Sequence, residues 1–383
     1  MPTPRPILPF LVATLTFGPT LARGQEIAPR LQPFVDSHAL AGAVVLGADR
    51  DRVLDLEAVG AADMAANTPM ATDSLFWIAS ESKPITAAAL MMLVDAGKVG
   101  LDDPVGKFLP EFRQVWLAAE RDDDHMLLKR PRRPITVRDL LTHTSGLPFS
   151  SALETPTLDG LPLRDAARSY ALTPLNSEPG AKYQYSNAGI NTVGRIIEVV
   201  AGEPYEEFLR TRLFGPLGMV DTTFRPTVEQ QKRLARSYKP NAAKDGLEPT
   251  TIGQLRYPLD DPARQPMPAG GLFSTAADLA RFARMILGGG ALDGRRHLTE
   301  ESVAAMTRKQ TGPDLKEAYG LGWSISGTEA NHGGAYSTHL SVDRGRGLVL
   351  IYMVQHAGFA RDGDRALGTF IQAARARFAA PKP

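Results

Sequence analysis

The stretch Trp77–Thr86, WIASESKPIT, decides how the rest of this 383-residue chain is read. It sets a hydroxyl at Ser80 and an amine at Lys83, three residues apart, and Pro84 then leads into an apolar run, AAALMMLVDAGK, with the composition of a helix. Two readings follow. Ser80 is the cap of a helix start with Lys83 in solvent, or Ser80 is a nucleophile and Lys83, one turn along the same face, is its base. Alone, the pattern settles neither: with 17 serines and 11 lysines, about half of one Ser-x-x-Lys match arises by chance.

Two distant motifs tip the balance. Tyr185-Ser186-Asn187, in YQYSNAGINT, is the one Tyr-x-Asn in the chain, where chance gives about 0.14. His332-Gly333-Gly334, in NHGGAYSTHLSVD, is the one His-Gly-Gly, where chance gives about 0.06. The three make one chemistry. A serine hydroxyl needs a neighbouring base to become a nucleophile, and burial lowers the pKa of a lysine toward that task. Tyr185 is expected to carry a second proton, its phenol lowered by the lysine's charge. A helix start offers free N–H groups to an oxyanion, and glycines at 333 and 334 let a strand edge come close to a substrate.

The rest of the composition excludes other classes. The formal net charge is +1, so nothing points to nucleic acid. No cysteine is present, which removes disulfides, thiolate metal sites and a cysteine nucleophile. The acidic run ERDDDH (Glu120–His125) lacks a second ligand cluster, and with the basic KRPRRP (Lys129–Pro134) it reads as a solvated loop; no metal or cofactor is expected. His143, in THTSGL, reads as a loop-fixing residue rather than a triad base, since the chain has no Gly-x-Ser-x-Gly elbow. Residues 1–24 carry Arg5, an apolar stretch Ile7–Phe17 and small residues near Ala22 and Gly24, the pattern of a secretory signal, which predicts a periplasmic or secreted protein with no integral membrane segment after cleavage.

Along the chain, Ala28–Leu40 has helical periodicity, AGAVVLGA and RVLDLEAVG read as two strands, and a helix is predicted from about Ser82 to Ala96, ending at Gly97. Helices broken by Pro- and Gly-rich loops follow, then strands in YGLGWSIS, AYSTHLSVD and GLVLIYMVQ, and a closing helix in RALGTFIQAARARFAA. The predicted fold class is α/β (α+β): an antiparallel sheet built from both ends of the chain, flanked by helices, with an inserted all-helical subdomain. The expected organisation is one catalytic domain over 25–383, its α/β part being 25–99 and 300–383 and its mainly helical part 100–299.

The ordered Ser-x-x-Lys, Tyr-x-Asn and His-x-Gly motifs, with THTSGL, EPGAKYQYSNAG, PAGGLFSTAADLARF and YGLGW, resemble the serine β-lactamase and D,D-peptidase superfamily on its class C side. The resemblance runs from about Ala28 to Phe378. It implies acyl transfer with Ser80 as nucleophile, Lys83 as its base partner and Tyr185 as general base and acid. It further implies that Asn187 binds a substrate amide and helps hold Lys83, that the N–H groups of Ser80 and Ala335 form the oxyanion hole, and that His332, Gly333 and Gly334 line the substrate. The β-lactamases carry Lys-Thr-Gly where this chain has His332-Gly333-Gly334. Histidine is mostly neutral above about pH 6.5, so the fixed cation for a β-lactam carboxylate is missing. Protonated His332 is the expected reader of a substrate carboxylate at lower pH. Histidine here resembles the peptidase and D-aminopeptidase members, whereas esterase members often carry tryptophan. The expectation is an exported serine hydrolase acting on a small-molecule or peptide substrate: a peptide, amide, ester or β-lactam-like molecule, cell-wall fragments included. The alternatives are a penicillin-binding or peptide-sensing module without turnover, and a carboxylesterase.

Overall fold

The computed structural model describes residues 26–378, so the signal-sequence reading of residues 1–24 lies outside the described residues. The strands at the two ends of the chain meet in a seven-stranded antiparallel sheet. Its members are β1 (Gly42–Ala48), β2 (Val53–Asp63), β3 (Thr68–Pro69), β4 (Ser324–Ser326), β5 (Glu329–Gly333), β6 (His339–Asp343) and β7 (Leu348–Met353), in the order β4-β5-β6-β7-β1-β2-β3. β1 joins the two halves: Val44 lies opposite Met353 on β7 and opposite Ala58 on β2.

Side chains alternate across the sheet, as the pleat requires, and each face has its own core. Ala43 and Val45 with Leu348, Leu350 and Tyr352 face a cluster that holds Ile27, Leu31 and Phe370. There α1 (Gln32–Asp36) and the C-terminal helix Ala366–Phe378 cover the sheet. Val44 and Leu46 with Val349, Ile351 and Met353 face the larger cluster, which includes the apolar side of the helix Ala276–Leu287. Each fully buried Val, Leu or Ile contributes about 1.5–3 kcal/mol of hydrophobic stabilisation, so both faces matter to stability.

The helical run predicted over Ala28–Leu40 divides into a short 3₁₀ turn, Ala28–Arg30, and α1, because Pro29 and Pro33 each occupy the first turn of a separate segment. The segment between β3 and β4 carries most of the helices among the described residues but also the hairpins Leu117–Arg121 with Met126–Lys129 and Ser237–Pro240 with Leu247–Thr250. The first is where a loop was expected. Its charged residues stay in solvent, while Arg130 stacks 3.5 Å over the Trp116 ring and donates to the Gln114 carbonyl at 2.6 Å. Among the described residues no helix is long and apolar enough to cross a membrane.

Two helices of this segment position the site. α2 (Ser82–Asp95) is buried nearly all round, as an apolar helix in the centre of a domain must be. The helix Asn187–Ala201, designated α3, buries Ile190, Val193, Ile196 and Ile197. Ser186 caps it, its Oγ accepting from Gly189 N–H at 3.0 Å and donating to the Pro148 carbonyl at 2.6 Å.

Candidate active site

Ser80 sits in a 3₁₀ turn, Ala79–Glu81, that runs straight into α2. It does not cap that helix, which has no side-chain cap; the Ser82 Oγ instead donates to the Ala79 carbonyl at 2.6 Å. The capped-helix reading of Ser80 therefore fails. Pro84 falls in the first helical turn, where a missing N–H costs nothing. The residue before the serine, Ala79, has φ +45°, a left-handed conformation that costs an alanine about 1–3 kcal/mol. The surroundings hold it there: Phe76–Trp77 pairs with Phe273–Ser274, Ile78 N–H donates to the Leu272 carbonyl at 3.0 Å, and Trp77 Nε1 donates to the Gly270 carbonyl at 2.7 Å.

The turn aims the half-buried Ser80 hydroxyl at Lys83, whose Nζ donates to Ser80 Oγ at 3.1 Å. Lys83 is fully buried, and its other hydrogen bond goes to the Ala269 carbonyl at 2.7 Å. Among the described residues no carboxylate pairs with it. Burial alone drives its pKa well below the usual lysine range, which favours the neutral amine that can accept a proton. Tyr185 lies beside both groups, with Lys83 Nζ 4.6 Å from its ring centroid. Its phenol is shifted upward by burial, with the Ser80 hydroxyl pulling the other way. That differs from the expected depression by a lysine charge: burial dominates, and Lys83 is not among the groups that lower the phenol.

Asn187, the first residue of α3, is buried, and its Oδ1 has no hydrogen-bond partner. The hold on Lys83 expected of it is supplied by Ala269 instead, and the Asn187 carbonyl oxygen is shut away from solvent without a partner.

His332 corrects the sequence reading more sharply. It lies in β5, a strand the hydropathy pattern did not reveal, and is buried with both ring nitrogens engaged. Its Nδ1 lies 2.9 Å from the Gly333 carbonyl and its Nε2 3.1 Å from Tyr319 Oη. A carbonyl only accepts, so Nδ1 carries the proton and Nε2 accepts from the tyrosine. Tyr319 Oη also lies 3.2 Å from Nε2 of His143, whose Nδ1 accepts from Ser186 N–H at 3.2 Å. The hydrogen bonds thus run in one direction, from His143 Nε2–H to Tyr319 Oη–H to His332 Nε2. Burial first, and then Lys83, push the His332 pKa down to about 3, so this histidine is neutral where it was expected to be a cation at mildly acidic pH. His143 is fully buried with φ +58° and stands 4.5 Å, centroid to centroid, from the Tyr185 ring. Phe149, 48% exposed, stacks on the outer side of that ring at 6.4 Å.

β5 ends against the serine turn. Gly334 N–H donates to the Thr338 carbonyl at 2.9 Å, and a Cβ at Gly334 would lie 2.7 Å from the Ile78 carbonyl oxygen. Only glycine allows that approach. Ala335 follows, itself exposed, in the turn between β5 and β6. The structure thus gathers Ser80, Lys83, Tyr185, His332, Gly333 and Gly334 into one locus. The sequence reading missed the Ala269 carbonyl, because any residue type can supply a backbone oxygen, and it missed Tyr319, although YGLGW was among the stretches carrying the resemblance. Among the described residues no cluster of His, Asp and Glu could hold a metal ion.

An antiparallel sheet covered by helices on both faces, with a buried lysine beside a serine at the head of the central helix, is the fold of the serine β-lactamases and penicillin-binding proteins. The model of the β-lactamase family matches residues 27–373, and the chain belongs to that family. It is 33% identical to Protein Rv1367c of Mycobacterium tuberculosis over 384 residues, covering 91% of this chain and 94% of that one. It is 30% identical to Esterase EstB of Burkholderia gladioli over 377 residues, covering 87% and 91%. Among solved structures it is similar to EstCE1, a hydrolase with promiscuous acyltransferase activity, with a TM-score of 0.77 and 26% identity over 91% of this chain and 97% of that one.

Proposed function

We propose that the protein is an exported serine carboxylesterase that works through an acyl-enzyme on Ser80 and takes uncharged acyl substrates. The observation that carries this is Lys83: fully buried, unpaired with any carboxylate and 3.1 Å from Ser80 Oγ. In this reading Ser80 Oγ attacks the ester carbonyl while its proton passes to Lys83 Nζ. The Ser80 and Ala335 N–H groups receive the developing oxyanion. Tyr185 gives a proton to the departing alkoxide and then takes one from the water that cleaves the acyl-enzyme, Lys83 returns its proton to Ser80 Oγ as the acyl group leaves, and Asn187 contacts the substrate through its amide.

Two features favour an ester over a carboxylate-bearing peptide or β-lactam. The third motif presents a neutral His332 whose nitrogens are occupied by Tyr319 and Gly333, so no cation of that motif awaits a carboxylate. The likeness to EstB and EstCE1 supports the same choice. The test is a panel of p-nitrophenyl esters, D-amino-acid anilides, D-Ala-D-Ala peptides and nitrocefin. Turnover is expected to be greatest on the esters. Turnover confined to carboxylate-bearing substrates would overturn the ester reading, and a stoichiometric burst without a steady state on every substrate would favour a binding module.

A further inference from the structure

Glu81 follows the serine directly and is fully buried, and neither of its carboxylate oxygens has a hydrogen-bond partner. The chemistry proposed above gives it no task. An unpartnered carboxyl beside a nucleophile is costly to keep, and burial drives its pKa well above the usual carboxylate range. The Thr338 hydroxyl lies near enough to Glu81 to oppose that shift, and it too is buried, without a well-aligned hydrogen bond. Among the described residues no charged group shifts Glu81 by its field. On α2 Lys83 is driven toward neutrality; His332 of β5 and His339 of β6 are pushed down to about 3 and about 4; His356, after β7, to about 4; and Tyr336 is raised.

The position of Glu81 matters more than its charge. The turn Ala79–Glu81 and the turn from Gly334 to Thr338 are in contact: a Cβ on Gly334 would lie 2.7 Å from the Ile78 oxygen and 2.2 Å from Thr338 Oγ1. One of these turns carries the Ser80 N–H and the other the Ala335 N–H. Glu81 and Thr338 meet where the turns join. We propose that Glu81 is a positioning residue which, as the neutral acid, seats the Ser80 turn against the Ala335 turn, and that its ionisation switches the oxyanion site off. A carboxylate there places negative charge behind the atoms that must receive negative charge in the transition state, in a medium that screens it weakly. It also demands hydration that only separation of the two turns can supply. This inference rests on the acyl-enzyme reading of Ser80.

The experiment uses the full chain, an uncharged p-nitrophenyl ester and a fluorophosphonate probe, each followed from about pH 6 to about pH 10. Wild-type kcat/KM and labelling rate are expected to fall about tenfold or more at the alkaline end and to recover on return to neutrality. Glu81→Gln, which stays neutral, is expected to keep activity within about threefold at neutral pH and to lose the alkaline fall. Thr338→Val, which removes the one group favouring ionisation, is expected to move the fall to higher pH. The same fall in wild type and Glu81→Gln, or a fall that Thr338→Val leaves in place, overturns the inference while labelled Ser80 upholds the acyl-enzyme. Absence of any Ser80 adduct overturns both.

Discussion

Tyr319→Phe removes one oxygen atom and isolates two histidines. Tyr319 Oη bridges His143 Nε2 at 3.2 Å and His332 Nε2 at 3.1 Å, and no water-exposed path replaces it, since Tyr319 is 3% exposed. The variant leaves a buried donor on His143 and a buried acceptor on His332 without partners. Each such group costs about 1–3 kcal/mol, and relief from burying the phenol oxygen offsets part of the sum, so a loss of about 2–4 kcal/mol is expected in urea unfolding. The tautomers report the same event. Nitrogen-15 spectra of the wild type are expected to show His332 protonated at Nδ1 and His143 at Nε2; in Tyr319→Phe the His332 signal should become a mixture of the two forms. With Tyr185 4.5 Å from His143, kcat should fall about tenfold or more while KM changes less. A stability change under about 0.5 kcal/mol, as for a surface substitution, together with unchanged tautomers would refute the directed chain of hydrogen bonds.

Lys83→Met is expected to abolish turnover while raising stability at neutral pH. The folded-state pKa of Lys83 lies well below its unfolded value near 10.5, so between the two the unfolded chain binds the extra proton and stability rises with pH. The difference in unfolding free energy between wild type and variant should therefore shrink from neutral pH toward pH 10.5, and a constant difference would contradict a neutral buried lysine. Gly334→Ala drives a Cβ to 2.7 Å from the Ile78 oxygen, so it should destabilise by about 1–3 kcal/mol and lower kcat about tenfold or more, in paired unfolding and ester assays. Neutral His332, with a pKa of about 3, implies that the ratio of kcat/KM for anionic and uncharged esters stays flat from about pH 5 to about pH 8; a ratio that falls across about pH 6–7 would restore the carboxylate-reading cation.

The motifs were legible where residue type and local geometry fix the chemistry together. Ser80 and Lys83 meet because a three-residue step stays on one helical face. The sheet was legible because β1 and β7 keep apolar residues for two cores, one on each face. His332 was misread because the charge of a histidine depends on burial and on partners far away in sequence, here Tyr319 and Lys83. Asn187 was given the wrong partner because the oxygen that holds Lys83 belongs to the backbone of Ala269 and leaves no trace in residue type. The charged stretch between Leu117 and Lys129 looked like a loop because both strands of its hairpin are largely exposed and bury little apolar surface. Glu81 drew no attention because a glutamate beside a helix start ordinarily points into water.

The central claim is that Ser80 is acylated with Lys83 as its base. Intact-mass analysis after a fluorophosphonate probe, with peptide mapping of the adduct, tests it most directly. One adduct per chain on Ser80 is predicted, absent in Ser80→Ala and slowed about 100-fold or more in Lys83→Met. No adduct on the wild type, or an adduct that survives in Ser80→Ala, would contradict it.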